Sequence, residues 1–179
     1  RVSNNTNWGY NDGIKAFCRN TTDDRFTNLK IYNNIIGPNI GDATHAASGH
    51  IYINAGYFVS PLIYNNVVIG DTDEVVSTYI GCGGRSVTRE INCGIYNNTI
   101  YTTGPAKPLI YLNYRSTVNV VKNNLVYAPN MSSSGTAIFL DPNVTLTSSD
   151  NNVWYYNSGS PRFVEYDLHG YTGQTLASW

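Results

Sequence analysis

The chain has 179 residues, 11 Lys plus Arg against 12 Asp plus Glu, and a formal net charge of -1 with a pI near 6.3; that balance supplies no global field to draw in nucleic acid or an anionic membrane surface. Its length fits one domain, read as residues 1–179, and no apolar run reaches the roughly 18 residues of a membrane span, so membrane insertion is not expected. The start at Arg1 shows no signal-peptide order of charged, apolar and small residues, and the chain reads as a processed or excised piece of a larger protein.

With 24 Asn, 16 Gly and 15 Tyr against one Met, the composition disfavours long helices and suits short strands joined by turns. In chain order, Val2-Ser3-Asn4-Asn5 is followed by the short strand pattern Ile14-Lys15-Ala16 and by Cys18. Ile31-Tyr32-Asn33-Asn34-Ile35-Ile36 then leads through a long connection bearing Asp42, His45 and His50 to Ile51-Tyr52-Ile53. Ile63-Tyr64-Asn65-Asn66-Val67-Val68 leads through Asp71, Asp73 and Glu74 to Thr78-Tyr79-Ile80, then Cys82, Arg85, Arg89 and Cys93. The series continues with Ile95-Tyr96-Asn97-Asn98-Thr99-Ile100, Ile110-Tyr111-Leu112, Arg115, Val121-Lys122-Asn123-Asn124-Leu125-Val126, Ile138-Phe139-Leu140, Asn151-Asn152 and, less regularly, Phe163-Val164-Glu165.

Asn-Asn therefore recurs at 4, 33, 65, 97, 123 and 151, with steps of 29, 32, 32, 26 and 28 residues. Self-similarity at this period marks a solenoid, whose unit buries its apolar face only by stacking on its neighbours. Each Asn-Asn lies between apolar positions and reads as a sharp corner between two strands, because Asn tolerates the left-handed backbone region. Equivalent Asn side chains on successive coils are then in place to bond one another. With a further strand between corners, the expected fold is all-β: a right-handed parallel β-helix of about six coils, a fragment of a longer solenoid or a subunit whose ends are covered by something else. Asp12-Gly13 is the only Asp-Gly or Asn-Gly dipeptide, so an up-and-down barrel built on tight hairpins is disfavoured.

The motif Ile-x-Asn-Asn-x-Ile, alternating with strands such as Gly49-His50-Ile51-Tyr52-Ile53, resembles the right-handed parallel β-helix repeats of the pectate-lyase-like superfamily. The segment from Asp150 to Tyr156, with Leu176-Ala177-Ser178-Trp179, is similar to the closing segment of many secreted β-helix proteins. The resemblance covers nearly the whole chain but departs at both ends, with no amphipathic capping helix at the start and a stop at Trp179. It implies a fold and a secreted setting rather than one activity, since lyases, glycoside hydrolases, epimerases, adhesins and phage tailspikes share it.

Strand alternation with Ile51 and Ile53 inward sends Tyr52 out, and the aligned triplets place Tyr79, Tyr111 and Phe139 in the same outward column. A second outward column holds Tyr32, Tyr64, Tyr96 and then Lys122. Rings repeating at about 4.8 Å either stabilise the solenoid by stacking or offer a platform to sugars. Asp42, His45, Asp71 and Asp73, on the long connections of adjacent coils, are the candidate acid/base set, since a glycosidase needs two carboxyls flanking the bond. Arg85, Arg89 and Arg115 on the opposite edge are candidates for holding a uronate carboxylate, as a lyase or epimerase requires. Solvated loop charges and local ion pairs are the competing accounts of both groups. Nothing resembles a catalytic triad, a P-loop, a dinucleotide fingerprint or an Asp-rich calcium motif, so no cofactor or metal is expected. Cys82 and Cys93 either bridge their connection or remain buried thiols. Sequons at Asn4, Asn20, Asn97, Asn130 and Asn143 permit an exported glycoprotein, Asn97 being poorly placed if it points inward. The expected function is an extracellular or cell-surface domain that binds or processes a polysaccharide. The alternative is a fibre subunit stacking head to tail with identical copies.

Overall fold

The Asn-Asn dipeptides turn the chain through a corner once per coil. A computed structural model of the chain describes residues 13–17, 25–38, 47–54, 57–72, 76–83, 92–104, 108–113, 119–131, 135–141, 144–157 and 162–166. The first described coil contains β1 (Ile14–Phe17), β2 (Arg25–Thr27), β3 (Lys30–Tyr32) and β4 (Ile35–Ile36). The second contains β5 (Ala47–Asn54), β6 (Tyr57–Val59), β7 (Leu62–Tyr64) and β8 (Val67–Gly70). The third has β9 (Val76–Gly83), β10 (Gly94–Tyr96) and β11 (Thr99–Thr102), and the fourth β12 (Ile110–Asn113), β13 (Asn119–Lys122) and β14 (Leu125–Tyr127). The fifth has β15 (Thr136–Leu140), β16 (Leu146–Asp150) and β17 (Val153–Tyr155), and β18 (Arg162–Tyr166) opens a sixth.

Every strand pairs in parallel with its equivalent one coil away. The first sheet runs β1-β5-β9-β12-β15-β18, the second β3-β7-β10-β13-β16 and the third β4-β8-β11-β14-β17, with β2 and β6 paired in a smaller one. This is a parallel β-helix of five coils and a further strand, and no helix occurs among the described residues. Asn4-Asn5 and the chain ends, where the expectation of missing caps falls, lie outside the described residues.

The core is a stack of apolar columns, one residue per coil. Ile51, Ile80, Ile110 and Ile138 form one on the first sheet, Ile31, Ile63, Ile95 and Val121 one on the second, and Ile36, Val68, Ile100 and Val126 one on the third. All are buried. Each side chain taken from water contributes roughly 1.5–3 kcal/mol, which no single coil can collect alone.

The two residues of each Asn-Asn pair do different things. Asn33, Asn65, Asn97, Asn123 and Asn151 have φ between 53° and 57°, the left-handed region, and all five are exposed. The second Asn turns inward to form a ladder. Asn34, Asn66, Asn98 and Asn124 each donate from Nδ2 to the Oδ1 of the next rung, ending on Asn152, at 2.9–3.1 Å. The same Oδ1 atoms accept the backbone N–H of the preceding rung at 2.9–3.1 Å. The ladder thus satisfies the donors that the corner takes out of the sheets. Asn97 faces solvent, so the inward orientation that would bar a glycan there does not occur; Asn98 is the inward one.

Cys82 stands in an inward column with Ile53 and Leu112, and it forms a disulfide with Cys93 across the connection to β10. Of the two readings open from sequence, the bridge is the one found. Cys18 lies outside the described residues.

Candidate functional site

The first aromatic column differs from its expected composition. Ile51 pairs with Ile80 and Ile80 with Ile110, so the outward position beside Tyr52 and Tyr111 is Gly81 and not Tyr79. Alternation repeats every two residues, so a two-residue slip preserves the inside-outside pattern, and Gly81 has no side chain to betray the column. Tyr79 is fully buried: its ring stacks on His50 at 5.0 Å and its hydroxyl lies 2.7 Å from Thr102 Oγ1. His50 is buried beside it, with Nε2 3.1 Å from the Ile69 carbonyl.

The remaining members of that column form no flat ladder. The Tyr52 ring lies over Gly81, where a Cβ would collide with it, and Tyr52 is only 8% exposed. The Tyr111 hydroxyl donates to both carboxylate oxygens of Asp141, at 2.9 and 3.0 Å, and its ring meets Phe139 edge-on at 5.3 Å. Asp141 is buried, a polar anchor that sequence reading did not single out.

The second column keeps its expected register of Tyr32, Tyr64, Tyr96 and Lys122. Tyr32 and Tyr64 stack at 5.0 Å with 1° between their planes, whereas the Tyr96 ring covers Gly94. Lys122 pairs with Asp150 at 2.8 Å. Hydrogen bonds from Lys122 and then Ser148 hold the Asp150 carboxyl below its usual range, with the Lys122 charge adding to them.

Of the acid/base candidates, Asp71 is described, and its Oδ1 accepts from both the N–H and the hydroxyl of the next residue, Thr72, within its own loop. Asp42, His45 and Asp73 lie outside the described residues, as do Arg85, Arg89 and Arg115. No group of three or more His, Cys, Asp or Glu side chains positioned for a metal occurs among the described residues.

Among the described residues, the most exposed apolar surface lies elsewhere, on the outer face of the third sheet. Tyr101, Tyr127 and Tyr155 occupy one register position on successive coils and stack at 5.5 and 4.6 Å with planes 1° and 2° apart. Two residues earlier on the same strands runs a column of Ile35, Val67, Thr99, Leu125 and Val153. Ile35, Leu125 and Val153 are 44–58% exposed and the three tyrosines 39–45%. No charged residue stands in either column. Stacked rings give their faces to one another, so this surface displays ring edges and phenol hydroxyls one coil apart. The signal was present in sequence: a Tyr stands four residues after the first Asn in three successive copies, at Tyr101, Tyr127 and Tyr155.

Comparison of the chain with protein-family models, with curated proteins and with solved structures finds no match.

Proposed function

We propose that this chain is a carbohydrate-binding β-helix domain of a secreted or cell-surface protein, and that the outer face of the third sheet is its contact surface. The observation that carries the reading is the run of stacked, exposed tyrosines Tyr101, Tyr127 and Tyr155 beside Leu125 and Val153. Exposed apolar strips on soluble proteins mark interaction surfaces. This one adds hydroxyl groups at a regular pitch, a combination that suits a ligand presenting both C–H and O–H groups, as a sugar does. Two further features support the reading. The Cys82–Cys93 disulfide suits an oxidising, extracytoplasmic compartment, and the Ile-x-Asn-Asn-x-Ile repeat resembles the pectate-lyase-like superfamily, many of whose members act on polysaccharides.

The proposal is one of binding. The described carboxylate of the acid/base set, Asp71, is engaged by Thr72, and Asp141 is engaged by Tyr111. The test is affinity electrophoresis of the wild type and Tyr127→Ala in gels containing different polysaccharides. Tyr127 stacks on both neighbours, so its removal breaks the run at its centre. Retardation by at least one polysaccharide, reduced about tenfold in affinity by the substitution, is the expected result. Assembly of copies through this face would instead appear as a concentration-dependent mass in sedimentation that Tyr127→Ala abolishes. That outcome without glycan retardation would refute the reading.

A further inference from the structure

The corner that borders the third-sheet face carries a column of its own. Asn33, Asn65, Asn97, Asn123 and Asn151 stand two residues before the aliphatic column and four before the tyrosine column, as in Asn123, Leu125 and Tyr127 of one coil. Their side chains are exposed and make no hydrogen bond among the described residues, in contrast to the fully engaged carboxamides of their inward neighbours. The left-handed backbone at these corners requires a tolerant residue, but glycine meets that requirement as well as asparagine. Five exposed amides, each with two donors and an acceptor, therefore repeat at the coil spacing of about 4.8 Å beside the apolar columns.

The aliphatic and tyrosine columns, two residues apart on a strand, are separated by roughly 6.6 Å, and the asparagines border them at the corner. Asparagine, aliphatic and tyrosine columns thus form an uncharged lattice, periodic along the helix axis. Such a lattice is matched by a ligand that is itself periodic. An anionic chain would lose its hydration here without gaining a free cation, because Lys122, which adjoins the asparagine column at Asn123, is paired with Asp150.

We propose that the outward corner asparagines read the hydroxyl groups of a neutral, extended glycan lying along the helix axis, while the aliphatic and tyrosine columns hold its C–H edge. This rests on the carbohydrate-binding reading above and specifies the charge class of its ligand, the ligand's direction and the residues that select it.

The test replaces Asn65, Asn97 and Asn123 together by glycine, written Asn65→Gly, Asn97→Gly and Asn123→Gly, which removes the amides and keeps the corner backbone. Titration calorimetry with cellohexaose and mannohexaose as neutral probes and a galacturonate hexamer as the anionic one is run on wild type, the triple variant and Tyr127→Ala. The expected result is binding of a neutral hexamer that changes little between low and moderate salt and weakens about tenfold or more in the triple variant, with thermal unfolding retained. Neutral binding that Tyr127→Ala weakens and the triple variant does not would overturn the assignment of the asparagines while leaving the glycan surface standing. Salt-sensitive binding of the galacturonate probe alone would overturn the neutral class. No binding of any hexamer, together with no retardation on any polysaccharide, would overturn the underlying reading and this inference with it.

Discussion

Truncating one inward rung of the asparagine ladder is the most direct probe of what holds the coils in register. Asn98 Nδ2 donates to Asn124 Oδ1 at 3.1 Å and to the Ile63 carbonyl at 3.0 Å, and its Oδ1 accepts from Asn66 N–H and Asn66 Nδ2, both at 3.0 Å. Asn98→Ala removes all of these, but their partners are left in different states. Asn66 Nδ2 keeps the Ile31 and Tyr64 carbonyls, and Asn124 Oδ1 keeps the Asn98 N–H. The Asn66 N–H keeps no acceptor among the described residues, and it is buried.

An orphaned buried donor costs about 1–3 kcal/mol, and the other lost bonds about 0.5–1 kcal/mol each because their partners stay partly satisfied. The expected loss for Asn98→Ala, one orphaned donor and three other bonds, is therefore about 2.5–6 kcal/mol. The neighbouring Asn97→Ala removes no hydrogen bond and costs only the left-handed backbone penalty, about 1 kcal/mol, while Asn97→Gly stays within about 0.5 kcal/mol of wild type. Urea denaturation followed by circular dichroism measures all three, the midpoints being compared at unchanged slope. A loss below about 1 kcal/mol for Asn98→Ala, or a larger one for Asn97→Ala, would refute the division of labour between the two corner residues.

The other predictions concern the disulfide, a close backbone approach and an ion pair. Reducing the Cys82–Cys93 bridge opens a loop with a sequence separation of 11, and its chain-entropy contribution is about 3 kcal/mol; unfolding with and without reductant checks this, and coincident curves would contradict it. A Cβ at Gly83 would meet the backbone carbonyl of Asn113 on the next coil, which cannot swing aside as a side-chain tip can. Gly83→Ala is therefore expected to cost about 1–3 kcal/mol, and an unchanged urea midpoint would refute the close approach. At Asp150, a folded pKa below the unfolded value means stability that is present above the ordinary carboxylate range near pH 4 and is lost as pH falls through the lowered folded value. Lys122→Met should return the Asp150 titration toward the ordinary range in carboxyl-detected NMR; a titration that does not move would show that Lys122 is not the cause.

The repeat was legible because corner and core obey different local rules in adjacent residues: Asn at a left-handed φ, then an inward position, then alternating apolar side chains. Those rules place Ile63, Ile95 and Val121 in one column before any coordinate is seen, and they place the Tyr32–Tyr64 stack as well. They fail where the pattern is degenerate. Tyr79 and Gly81 have the same parity, so alternation cannot tell them apart, and only the pairing of Ile80 with Ile51 decides between them. The identity of the two asparagines in each pair was likewise ambiguous, since composition does not reveal which has positive φ. The third tyrosine column follows the corner by a fixed offset, yet its first two coils carry other residues there, Gly37 and Ile69, so its regularity begins only at Tyr101.

The placement of the candidate surface follows from where the solenoid has freedom to vary. Both strands at each corner are tied by backbone bonds that cross coils, such as Asn97 N–H to the Lys122 carbonyl at 3.1 Å and Thr99 N–H to the Asn66 carbonyl at 2.8 Å. The inward asparagine must donate and accept at one fixed reach: aspartate lacks the donor and glutamine is longer by a methylene. Constraint of that kind fixes the backbone but leaves the outward strand positions 99 and 101 free, whereas position 97, at the corner between the strands, is held to a residue that tolerates its φ of 53°. Regularity in those strand positions is not required by the core, although the stacked rings also support one another across coils. Where the core requires only Asn98 and Ile100, the recurrence of Tyr at 101, 127 and 155 goes beyond what the core demands, and a ligand with the same repeat gives it a use.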